Sequence, residues 1–305
     1  MPLDRDRVLK PMKKLRKLLA RIDADSPPKD VHDLRTNIRR FEALSAALLP
    51  GDQKIGDGPG ERKAMLKDLG RLRKRAGKVR DMDVLTQIAS TIHPRGEEEC
   101  SVQLLERLGA KRKKQAGKLA AEADSVRRSL RRDLKSSSSV FSEILQERRD
   151  GADKDGANDG TAGAAAKAAK MAARLGTPRH LGRENLHPYR LQVKELQNVL
   201  RMAADPARPR LIDDLGGVKD AIGEWHDQEE LIRIADETLD HKPKCRLRAE
   251  LKRVAQKKYD RALHLAEQLR KAYLQSKRPA GKGRSAASPG VPRPEVWEAT
   301  TSLSA

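Results

Sequence analysis

One helical segment is written twice in this chain, and that repetition restricts the fold more than any other feature. His32-Asp33-Leu34-Arg35, with Arg39 four residues further on, returns as His187-Pro188-Tyr189-Arg190, with Lys194 at the same place. The apolar positions return in register: Leu34 with Tyr189, Ile38 with Val193, Phe41 with Leu196, Leu44 with Val199. At 100° per residue the histidine and its two following cations fall within roughly 60° of one another, opposite the first three apolar positions. Each copy therefore reads as a helix with a cationic stripe on one side and a core-facing seam on the other.

A second stretch repeats at its own separation. Leu69, Leu72, Ala76, Val79, Arg80 and Asp81 match Leu215, Val218, Ile222, Trp225, His226 and Asp227. More loosely, Lys113, Lys114 and Leu119 correspond to Lys257, Lys258 and Leu263. The apolar spacing is helical in every segment between loops. The expectation is an all-α protein of two homologous halves with an internal pseudo-two-fold repeat.

The segments are read as follows. Helical spacing begins near Leu3 and restarts after Ser26-Pro27-Pro28, running to about Leu49; Pro50 to Gly60 reads as a loop. One helix carries Met65 to Val79, a second Asp81 to Ile92, and a long basic one Glu97 to about Lys135. Asp150 to Gly163, rich in Gly, Asp and Ala, reads as a linker. Beyond it, helices are expected to about Leu175, over 179–204, over 211–225, from Asp227, and over 244–274. Asp81 and Asp227 then serve as N-caps, and Trp225 as a core residue. The organisation expected is 1–149 for the first half, 150–163 for the linker, 164–275 for the second half, and 276–305 for a disordered tail.

Charge defines the partner. The chain has 65 Lys and Arg against 44 Asp and Glu, a formal charge of +21. Residues 1–150 hold 36 basic and 23 acidic side chains and the remainder 29 and 21, so both halves are basic. Such a field draws polyanions over roughly 10 Å at 0.1 M salt. No run of 18 apolar residues exists to span a membrane, and the N-terminal residues lack a secretory apolar run. Cys100 and Cys245 lie far apart without zinc-like spacing. A cytosolic protein without metal or cofactor is the expectation.

At the paired motifs the sequence resembles the CHAD family, the conserved histidine α-helical domain, over roughly residues 3–275. The resemblance implies two four-helix bundles around a basic channel that binds inorganic polyphosphate, without catalysis, with polyphosphate granules as a location. Carried onto this sequence, it assigns ligand contact to His32, Arg35, Arg39, Arg40, His187, Arg190, Lys194 and Arg201. Arg80, Lys114, His226 and Lys258 are secondary candidates. The chain departs from the family pattern at Glu42, Glu195 and Gln197, where positive charge is missing; Arg201, on the same stripe, compensates in part.

Catalytic constellations are missing: no Gly-rich phosphate loop, no His-Glu-x-x-His, no serine elbow, no Glu-x-Glu-x-Lys. The competing function is sequence-nonspecific binding of nucleic acid, which the same charge would support. Against it, aromatic residues make up 2% of the chain, too few for stacking platforms on the basic helices. Basic residues elsewhere, such as Arg127 and Arg131, are expected on solvated faces.

Overall fold

The computed structural model describes residues 5–48, 61–151, 159–202, 209–240 and 245–274. They form helices α1 (Arg5–Arg21), α2 (Pro28–Leu48), α3 (Glu61–Ala89), α4 (Glu98–Gly151), α5 (Asp159–Gly176), α6 (Arg183–Met202), α7 (Pro209–Thr238) and α8 (Arg246–Leu269). A π-helical turn, Arg270–Leu274, ends the described part, and there is no strand among these residues. The loop expected at 50–60 and the tail at 276–305 lie outside the described residues.

Two long helices depart from the expected segmentation for one reason. On α3, Met65, Leu69, Leu72, Ala76 and Val79 are buried on one side, then Leu85 and Ala89 follow on from it. Successive 100° steps put the second group roughly half a turn round from the first. On α7, Leu215, Val218, Ile222 and Trp225 give way to Leu231, Ile234 and Ala235 with a similar jump. A stripe that changes sides mimics a break in periodicity, although the backbone runs on. Asp81 and Asp227 are therefore mid-helix residues, not N-caps, and no helix starts at either.

The jump lets one helix serve two cores. The first core joins α1, α2, the start of α3 and the later turns of α4, around Met12, Leu15, Leu34, Phe41 and Phe141. The second joins α5, α6, the start of α7 and the end of α8, around Leu175, Tyr189, Val193, Trp225 and Leu269. The third is shared by the ends of α3 and α7 and the starts of α4 and α8. Residues 1–274 accordingly form one compact unit. The α4 helix continues past Lys135 to Gly151 because Ser137, Phe141 and Leu145 extend its buried stripe. The segment read as a linker is helical at both ends, Asp150–Gly151 in α4 and Asp159–Gly163 in α5; 152–158 lies outside the described residues.

Arg127 is a correction of another kind. It is half-buried and donates to the carbonyls of Leu19 and Ile22 at the end of α1, while also pairing with Asp124. Carbonyls at a helix end lack intrahelical partners, so a guanidinium from α4 that satisfies two of them is a structural tie. Arg112 acts likewise, pairing with buried Asp83 at 2.7 Å and donating to Ser26 O at 3.0 Å. Arg131 is exposed, as expected.

Candidate polyanion site

The cationic stripes on α2 and α6 stand as their spacing requires. Leu34, Ile38 and Phe41 on α2, and Tyr189, Val193 and Leu196 on α6, are buried, which turns Arg35, Arg39, Arg190 and Lys194 away from the cores. Because α3 packs on α2, α7 on α6, and α3 on α7, the two stripes approach each other above the α3–α7 crossing.

Electrostatics reveals the convergence. Lys194 is pushed down to about 8, by burial first and then by Arg39, Arg190, Arg35 and Lys219. Arg39, although its outer edge is exposed, is also pushed down, by partial desolvation, Arg35, Arg73 and Arg190, with Glu42 opposing. Cations on α2 and α6 thus depress one another. Among the described residues, Arg35, Arg39, Arg190 and Lys194 have no ion-pair partner, whereas Arg21, Arg71, Arg183, Arg233, Arg248 and Arg253 each reach a carboxylate. Clustered like charges that form no direct ion pair repel one another, and an anion relieves that repulsion.

Glycines on the floor seat the arginines. Arg190 donates from Nε to Lys219 O at 3.0 Å on α7. It lies so close to Gly223 that a Cβ there would stand 3.0 Å from Nη2 and 3.1 Å from Nε. At Gly77 on α3 the corresponding Cβ would be 3.7 Å from Arg35 Nε, an ordinary contact. Gly77→Ala should therefore leave polyanion affinity unchanged and stabilise α3 by up to about 1 kcal/mol through helix propensity. Gly223→Ala should weaken affinity severalfold by shifting Arg190. Parallel titrations and denaturant melts of both variants check this; equal affinities would show that the seat of Arg190 does not matter.

Beneath the stripes lie the steps Arg80-Asp81 and His226-Asp227. The His187 and His226 rings are 4.3 Å apart, and burial, His226 and Arg190 hold His187 below its usual range. His187 Nδ1 is buried without a hydrogen-bond partner. Crowding by protein raises Asp81 and Asp227 above ordinary carboxylates, although cations oppose it: Arg35 at Asp81, and His226, Arg190, Lys258 and Arg80 at Asp227. Arg80 and His226 thus adjoin the cluster.

The other candidates stand apart. His32 is exposed, with Nε2 3.4 Å from Thr36 Oγ1, and takes no part in the mutual depression of Arg39 and Lys194. Arg40 and Lys114 are exposed without ion pairs among the described residues. Lys258 is 3.6 Å from Glu224 and so is partly neutralised. Arg201 lies on the last turn of α6, its side chain outside the described part. Of the departures from the motif, Glu42 pairs with Arg73 at 3.0 Å, and buried Gln197 donates to Ile212 O at 2.9 Å.

Arg73, Lys219, Gly77 and Gly223 escaped the sequence reading. Their signal was present: Arg73 with Lys219, and Gly77 with Gly223, recur at the same separation as Leu69 with Leu215. Comparison of apolar positions alone passed over them.

Residues 9–236 match the family model described as the CHAD domain, so this chain belongs to the CHAD domain family. The match ends within α7 and leaves α8 outside it. No curated protein and no solved structure matches the chain. No described helix is long and apolar enough to cross a membrane.

Proposed function

We propose that this protein binds inorganic polyphosphate without transforming it, and that the phosphate chain lies between α2 and α6. The supporting observation is the set of four cations, Arg35, Arg39, Arg190 and Lys194, which crowd together from α2 and α6 and form no direct ion pair among the described residues. A flexible chain with one charge or more per phosphate can follow such a cluster and replace its mutual repulsion with charge-assisted hydrogen bonds. Family membership supports a polyphosphate-related role. In this reading the halves are copies of one bundle unit about a pseudo-two-fold axis, so that Arg35 and Arg39 on α2 play the parts of Arg190 and Lys194 on α6. The protein acts in the cytoplasm, at polyphosphate granules where these form.

Binding and turnover are separable by experiment. Incubation of the full chain with long-chain polyphosphate, with and without a divalent cation, should give saturable binding, unchanged chain length on gels and no released phosphate. Steady phosphate release in proportion to protein would overturn the non-catalytic reading.

A further inference from the structure

The chain has only two cysteines, and the fold brings them together. Cys100 sits in the first turn of α4 and Cys245 immediately precedes α8; both are buried in the third core. Glu97, just before α4, joins them, so that one carboxylate oxygen and two sulfurs all lie within 4.8 Å of one another. Glu97 Oε1 accepts the N–H of Arg246 at 2.8 Å, while Oε2 lies 3.5 Å from Cys245 Sγ. One oxygen caps α8 and the other faces the thiols.

We propose that Glu97, Cys100 and Cys245 bind one thiophilic divalent cation of the zinc type, which joins the start of α4 to the start of α8. Zinc takes sulfur at about 2.3 Å and carboxylate oxygen at about 2.0–2.2 Å in a tetrahedron, which puts ligand atoms roughly 3.5–3.8 Å apart. The trio needs only a contraction of about 1 Å to reach that spacing, and the fourth position takes a water. Binding releases one proton from each thiol to solvent and leaves two thiolates and a carboxylate around a double positive charge. The residual single negative charge faces two helix N-termini, each equivalent to about half a positive charge.

The carboxylate favours a cation over a disulfide as the use of this pair. A disulfide would use the two sulfurs and leave the facing Glu97 oxygen without a part, whereas a cation takes all three ligand atoms. The site escapes a sequence reading because its ligands come from two distant helix starts, not from the local spacing of common zinc motifs.

The test uses the full chain, reduced and stripped by a chelator, then titrated with cobalt(II) and back-titrated with zinc. One cobalt per chain should bind with a thiolate-to-cobalt charge-transfer band, zinc should displace it, and both cysteines should become resistant to alkylation. Cys100→Ser should abolish the band. Glu97→Gln, whose amide oxygen can still accept from Arg246, should keep the native circular dichroism and weaken cobalt at least tenfold, and it carries the test if Cys100→Ser unfolds. The polyphosphate-site variant Arg35→Ala with Arg190→Ala should bind cobalt as the native chain does, which separates this site from the proposed function. Absence of the band in the native chain, its persistence in folded Cys100→Ser, or native affinity in Glu97→Gln would overturn the proposal.

Discussion

Replacing Arg35 and Arg190 together by Ala should weaken long-chain polyphosphate binding at least a hundredfold while leaving the helical fold in place. Each charge-assisted contact to a phosphate contributes about 1.5–3 kcal/mol, so two lost contacts amount to roughly 3–6 kcal/mol, and a hundredfold corresponds to about 2.7 kcal/mol. The folding cost is smaller. Arg35 has no ion pair among the described residues, and Arg190 holds one backbone carbonyl, Lys219 O, whose loss costs about 1 kcal/mol. The slope of log affinity against log salt should also become shallower, because fewer phosphates are neutralised. The matched control is Arg128→Ala with Arg131→Ala, two exposed cations on α4, which should lose less than tenfold. Equal losses in both pairs would mean that diffuse charge holds the ligand.

The second large effect is a pH dependence with opposite signs for binding and folding. Lys194 is held near 8 in the free protein, against 10.5 for an ordinary lysine. A bound phosphate favours its charged form, so binding takes up a proton, and affinity should fall about tenfold between pH 7 and pH 9. Folding of the free protein moves the other way. The unfolded chain binds more protons at Lys194 between about pH 8 and pH 10.5, so this group makes the folded state gain stability as pH rises through that window. Lys194→Met should flatten the alkaline decline in affinity; an unchanged slope would place the responsible group elsewhere. His187, held below its usual range in the free protein, adds a further rise in affinity as pH falls, because a bound anion favours its charged form.

What could be read without the fold follows the physics of each element. The stripes of α2 and α6 were legible because three cations and three apolar residues recur at helical spacing in both copies, and a single helix decides which side each occupies. The continuity of α3 and α7 was not legible. An apolar stripe that jumps to the opposite side resembles a boundary, and only the shared third core explains the jump. Arg127 was misread because a carbonyl pair at the end of α1, more than a hundred residues away, determines its place. The membership of Arg73 and Lys219 in the cluster needed two helices to be brought side by side, although their recurrence was visible. His32 shows the opposite limit: it repeats in sequence with His187, yet only His187 has a ring partner, His226, in the structure.

The most direct measurement is a pair of equilibrium titrations of the full chain, one with long-chain polyphosphate and one with duplex DNA, at equal phosphate concentration and matched salt. A duplex presents its charges on a stiff rod with a persistence length of about 50 nm, whereas a bare phosphate chain can bend to lie along both stripes. The account predicts much tighter binding of polyphosphate, with the Arg35→Ala, Arg190→Ala variant losing most of that preference. Equal affinity for the two polymers, weakened alike by the variant and by the α4 control, would contradict it.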